Sequence, residues 1–109
     1  MPEKPGGLIQ GTLEMLILKT LVLAPMHGYG VALRIEQISQ GVFCVNPGSL
    51  FPALSRLERA GQIKAQWRPT ENNRRAKYYA LTERGRKALK DETQEWGRQI
   101  GAIARILEA

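Results

Sequence analysis

A mostly helical chain with one small β-hairpin is predicted by three features of the sequence. Several segments repeat apolar residues at helical spacing. Two short stretches alternate apolar and polar residues across a polar connection, and a cap or breaker residue marks most boundaries. The chain has 109 residues, 43% of them hydrophobic and 24% charged, which suits one domain with a modest core and argues against wholesale disorder.

The first helix is expected over residues 12–24, with Thr12 as N-cap and Pro25 as its stop. Leu13, Met15, Leu16, Ile17, Leu18, Leu21, Val22 and Leu23 make it apolar on nearly every side, interrupted only by Glu14, Lys19 and Thr20. Such a helix is buried all round. In so small a domain that requires a second subunit, and Leu16 is assigned to the interface. Residues 25–30 form a turn into a second helix over residues 29–40, with Val31, Leu33, Ile35 and Ile38 apolar and Gly41 at its end. His27, the only histidine, is a turn or capping residue, because no nucleophile and base accompany it. Gly28-Tyr29-Gly30 opens like a nucleotide-binding fingerprint, but position 33 is leucine and no βαβ pattern precedes it. Residues 42–45 are β-prone and predict a brief extended segment, followed by a turn at Asn46-Pro47-Gly48.

Residues 48–61 read as a third helix. With Ser49 as N-cap, Pro52 falls in the first turn, where a missing N–H costs nothing, and Gly61 lies just past the end. Leu50, Ala53, Leu54 and Leu57 form the packed face, while Pro52, Ser55, Arg56 and Arg59 lie opposite. Residues 62–68 and 77–81 are two strands of a hairpin whose polar tip spans residues 69–76. Ile63, Ala65 and Trp67 share one face, and Tyr79 and Leu81 share a face of the returning strand; these are the expected inward residues. The last helix begins after the cap Thr82, with Glu83 placed favourably for the helix dipole, and runs to Leu107. Leu89, Trp96, Ile100, Ile103 and Leu107 make a narrow apolar stripe at coiled-coil spacing, so this segment is read as the dimer helix.

The net charge is +6, and residues 62–81 carry +4 of it. A local basic excess is the electrostatic footprint of a nucleic-acid binder. Cys44 is the only cysteine and packs as a small apolar residue; no disulfide, metal cluster or cofactor site is expected. No apolar run reaches the roughly 20 residues needed to span a bilayer, and residues 1–7 are polar, unlike a signal peptide. A cytoplasmic location is expected. Paired carboxylates, a nucleophile with its base and a phosphate loop are all missing from the pattern, so an enzyme is not expected.

Helix, helix, helix, hairpin, helix is the winged helix-turn-helix plan, in which the third helix lies in the major groove and the wing reaches the backbone or minor groove. Residues 1–81 would form the DNA-binding domain and residues 82–109 the dimerisation helix. Four motifs also resemble the PadR family: Gly11-Thr12-Leu13-Glu14; His27-Gly28-Tyr29-Gly30; Gly48-Ser49-Leu50-Phe51-Pro52-Ala53-Leu54 with Arg56-Leu57-Glu58; and Arg75-Ala76-Lys77-Tyr78-Tyr79-Ala80-Leu81-Thr82 with Gly85. The resemblance covers nearly the whole chain. It implies a bacterial transcriptional regulator, usually a repressor, that binds palindromic operators as a homodimer, in the short form with a single C-terminal helix. The family pattern has tyrosine where this chain has Phe51, so a phosphate contact through that hydroxyl is lost.

The expected DNA-contacting residues are therefore Ser49, Pro52, Ser55, Arg56 and Arg59 on the reading helix, with Arg68, Asn72, Asn73, Arg74, Arg75 and Lys77 on the wing. Arg56 is the best candidate for a base contact, since a guanidinium grips guanine with two hydrogen bonds. Trp96 is read either as core filler or as one wall of a cleft for a flat aromatic effector. The competing function class is a winged-helix module that binds an acidic protein surface without DNA.

Overall fold

In a computed structural model the described residues are 11–109, so the polar opening stretch weighed as a signal peptide lies outside them. The elements are α1 (Leu13–Thr20), β1 (Met26–His27), α2 (Gly28–Ile38), α3 (Pro47–Arg59), β2 (Ile63–Pro69), β3 (Arg75–Leu81) and α4 (Glu83–Glu108). The three strands form one antiparallel sheet in the order β1-β3-β2. This is the winged-helix architecture expected from the element order.

The core is the back of α3 received by its neighbours. Leu50, Ala53, Leu54 and Leu57 are all buried, and they meet Ile17, Leu18, Leu21, Val31, Ile35, Ile63 and Tyr79 in one cluster. Full burial of a leucine or isoleucine contributes about 1.5–3 kcal/mol, so the four α3 positions fix the orientation of the whole reading helix. His27 caps α2, its Nδ1 accepting the Gly30 N–H at 2.9 Å. Gly41 ends that segment at φ +81° and Gly61 follows α3 at φ +74°, both in the left-handed region that favours glycine.

The structure departs from the sequence expectations at several points. The first helix ends at Thr20, not residue 24; Thr20 Oγ1 donates back to Leu16 O at 2.8 Å and the chain turns through residues 21–24. Nor is α1 buried all round: Lys19 is exposed, Leu16 is half-buried against this chain's own core, and Leu23 in the turn is 70% exposed. The turn before α2 contains a third strand, with Met26 opposite Tyr79 and His27 opposite Tyr78. Residues 42–45 join no strand. The hairpin is longer and its tip shorter than expected, with Pro69 already opposite Arg75.

Gly85 sits where α4 crosses the start of β2. A Cβ there would lie 2.0 Å from the Gln62 carbonyl oxygen and 2.7 Å from Leu81 Cδ1. The crossing is secured by the Thr82 N–H donating to Gln62 O at 3.1 Å, by the Thr82 hydroxyl donating to Gly61 O at 2.7 Å, and by the Gly85 N–H donating to that hydroxyl at 3.1 Å.

Candidate nucleic-acid interface

The reading helix starts one turn earlier than the proline argument placed it. Asn46 is the N-cap, its side-chain oxygen accepting the Ser49 N–H at 2.9 Å, and Pro47 occupies the first helical position. Pro47 suits that position because its fixed φ is already helical and its missing N–H had no partner to lose. Ser49 is therefore inside the helix, and Pro52 lies in the second turn. The hydrogen bond lost at Pro52 falls on the carbonyl of exposed Gly48. Ser49, Pro52, Ser55, Arg56 and Arg59 are all exposed.

Arg56 has a partner that the sequence did not reveal. Its Nε lies 2.6 Å from Glu14 Oε1 of α1, with the two side chains 53% and 34% exposed. An ion pair this open adds only about 0.2–1 kcal/mol to stability, but it fixes the direction in which the guanidinium leaves the helix. Glu14 thereby gains a role beyond interrupting an apolar helix.

The wing is tied to the reading helix by Lys77, whose Nζ lies 3.4 Å from Glu58 Oε1 and 5.6 Å from the Tyr79 ring centroid. On the other face, the Arg68 guanidinium lies 5.2 Å from the Tyr78 ring centroid. The tip is closed by Thr70, whose N–H and hydroxyl both donate to Arg74 O, at 2.6 and 2.9 Å, with Asn73 at φ +60°. Asn72, Asn73, Arg74 and Arg75 project into solvent. Trp67, expected to point into the core, is 56% exposed. It shares the face of Ile63, which is buried, but stands two pleats further out, where the wing has left the body of the domain.

Trp67 instead helps to line a cleft of about 560 Å³ between the wing and the reading helix, together with Tyr29, Phe51, Tyr79, Arg75 and Lys77. Tyr29 and Phe51 pack edge to face with centroids 5.6 Å apart. These residues come from four separate elements, and no single stretch of sequence reveals them as a group.

The fourth helix carries its apolar stripe from the core into solvent. Leu89 packs on this chain's own core and Trp96 is half-buried, whereas Ile100, Ile103 and Leu107 are 44%, 53% and 79% exposed. Ile106, outside the expected stripe, is also exposed. A second recess, of about 220 Å³, lies between the start of α1 and α4 and is lined by Met15, Trp96, Glu92, Glu95 and Gln99, among others. Burial, and secondarily the Glu14 carboxylate, raises the Glu92 pKa above the ordinary glutamate value. Cys44 is half-buried; desolvation first, then nearby Glu36, raises its pKa, the direction opposite to activation. Among the described residues there is no cluster able to hold a metal ion, and no helix is long and apolar enough to cross a membrane.

Comparison with known proteins gives a consistent result. Residues 17–91 match the sequence model of the transcriptional regulator PadR-like family. A 37.1 kDa protein in transposon TN4556 of Streptomyces fradiae is 38% identical over 83% of this chain, and the chain spans 24% of that protein's length. A transcriptional regulator from Clostridium thermocellum superposes with TM-score 0.82 at 28% identity, covering 89% of this chain and 94% of that one. A PadR family transcription regulator from Clostridium difficile superposes with TM-score 0.77 at 27% identity, covering 89% and 99%.

Proposed function

Because the chain belongs to the PadR-like family of transcriptional regulators, we propose that it binds DNA sequence-specifically as a homodimer and represses transcription from a palindromic operator. The family and its structural relatives are regulators, not enzymes. The observation that carries the DNA-binding reading is that the exposed polar front of α3 and the basic wing are neighbours, bridged by the Glu58–Lys77 contact. On that surface Ser49, Pro52, Ser55, Arg56 and Arg59 would address base edges, while Asn72, Asn73, Arg74, Arg75 and Lys77 would address phosphates and the minor groove; Arg68, on the opposite face of the wing over Tyr78, would reach a phosphate only from that side.

Selection of duplexes from a random-sequence library, followed by titration, tests this reading. A two-fold-related pair of reading helices prefers half-sites roughly 34 Å apart. Arg56→Ala is expected to lose about 1–3 kcal/mol and to relax preference at one base position, while loss of a wing phosphate contact reduces the salt slope by about 0.9. An Arg56→Ala protein with unchanged affinity and preference would remove Arg56 from the reading set. A protein-binding module would instead show no salt-sensitive affinity for any duplex.

The dimer reading is supported by the exposed isoleucines and leucine on the last turns of α4, and equilibrium sedimentation of the full chain against Ile103→Glu tests it. Trp96, Ile100, Ile103 and Leu107 are the proposed contact set, with Leu16 and Leu89, which already pack on the chain's own core, at its inner edge.

An effector would occupy the recess beside Trp96. Its lining includes Glu92 and Glu95 and no basic side chain; the Glu95 carboxylate is already held by Arg98, so Glu92 is the group that favours a planar aromatic cation. The Glu92 pKa is raised, so its charge is lost at a higher pH than for an ordinary glutamate. Quenching of Trp96 by a planar cationic dye, measured in a Trp67→Phe background, should therefore weaken as pH falls toward that pKa. A dye affinity that is flat across this range, and equal in Glu92→Gln, would assign Trp96 to packing alone.

A further inference from the structure

We propose that Glu14 is a positioning residue for base reading: it holds Arg56 by its Nε side so that the free end of the guanidinium selects guanine, and the charge in the recess beside Trp96 sets how firmly it holds. The inference rests on the DNA-binding reading above and on Arg56 as a base contact within it.

The bond between the two residues decides which donors remain. Arg56 Nε donates to Glu14 Oε1 at 2.6 Å, and among the described residues no second hydrogen bond engages the guanidinium. A guanidinium has one N–H on Nε and the other four on its two terminal nitrogens. With Nε occupied, the terminal nitrogens remain as a two-donor fork, the pattern that matches O6 and N7 of guanine. The Arg56 side chain is 53% exposed, so the fork is open to solvent and to a groove. An untethered arginine would also sample flanking phosphates, which carry no sequence information.

Glu14 stands on the turn of α1 that walls the recess. Thr12 and Met15 line that recess from α1 and Glu92 from α4. Burial first, and then the nearby Glu14 carboxylate, raises the Glu92 pKa. The repulsion acts in both directions, so Glu92 disfavours a Glu14 carboxylate turned toward α4 and favours the one paired with Arg56. A cation beside Glu92 reverses that bias and competes with Arg56 for the same carboxylate. By linkage, the duplex then weakens the cation by the factor that the cation weakens the duplex. One side chain thus connects the recess to the reading helix, with no shift of α3 required.

The test scores every base at each position of a duplex selected by the full chain from a random library. Arg56→Ala marks the position that Arg56 reads. Glu14→Ala is expected to lower the guanine preference at that position about fivefold or more and to leave other positions unchanged. Affinity for a random duplex should stay equal or rise, because a negative charge near the phosphates has gone. In an Arg56→Ala background Glu14→Ala should change nothing at that position. Glu92→Lys, which sets a cation in the recess, should lower the same preference, with no further loss in a Glu14→Ala background. A purely structural role would instead shift the thermal melt and weaken all duplexes together. The proposal is overturned by a guanine preference kept in Glu14→Ala, by a loss spread over every position, by a Glu14→Ala effect that persists without Arg56, or by a Glu92→Lys protein with its full preference. An Arg56→Ala protein with unaltered preference also removes it, while salt-sensitive binding of the selected duplex leaves the DNA-binding reading standing; failure to select any duplex removes both.

Discussion

Gly85→Ala is expected to destabilise the protein by about 3 kcal/mol or more, at the upper end of the cost of forcing extra atoms into a packed site, lowering the melting temperature by more than about 10 °C. The added methyl would sit 2.0 Å from a backbone oxygen, that of Gln62, and 2.7 Å from Leu81 Cδ1. A flexible side chain could swing aside, but the Gln62 carbonyl is fixed by the Thr82 N–H that it accepts. Relief therefore requires α4 to lift from the base of the wing, breaking the cap that starts it. Gly97→Ala is the control on the same helix. Nothing lies within 4 Å of its Cβ position, so helix propensity alone should add about 1 kcal/mol. Thermal melts followed by circular dichroism compare the two directly. A Gly85→Ala melt within a few degrees of the parent would mean that α4 is not held at this crossing, and a loss at Gly97 would place a partner's backbone there.

The elements legible in the sequence were those whose signal is local and repeated. The four buried residues of α3 follow i, i+3, i+4, i+7, and no other amphipathic placement fits them. Thr82 announced its helix through its position after an alternating strand. The start of α3 is ambiguous in the sequence because Asn46 and Ser49 are both good caps; Pro47 at the first helical position decides for Asn46. β1 is two residues long, too short to show any period; it exists because β3 has a free edge beside it. Trp67 departs from its expected inward position because alternation gives a side chain's face and not its depth, and the wing runs past the core before it turns. The candidate site divides in the same way. Exposure of Ser55, Arg56 and Arg59 follows from the wheel, but the Glu14–Arg56 pair joins positions 42 apart, and the aromatic cleft draws on four elements. Contacts of that range follow from the packed fold rather than from any periodicity.

Two adjacent residues of the reading helix should separate stability from recognition. Leu54 is 1% exposed and packs over the start of α2, its Cδ1 3.3 Å from where a Cβ on Gly28 would stand. Leu54→Ala leaves a cavity that α3 cannot readily close, because Leu50, Ala53 and Leu57 hold the helix on either side, and the expected cost is about 2–5 kcal/mol. That is a large share of the 5–15 kcal/mol typical of a whole domain. Ser55, the next residue, faces solvent, and Ser55→Ala should change stability by less than about 0.5 kcal/mol. The functional order should be the reverse. Where Leu54→Ala is still folded, at low temperature and without denaturant, it presents the same polar face and should keep its preference among operator sequences; Ser55→Ala removes a group from that face and should alter the preference with the fold intact. Urea unfolding paired with binding titrations of the same preparations reads both quantities. If Leu54→Ala changed sequence preference while Ser55→Ala did not, the packed and reading faces of α3 would have been assigned the wrong way round.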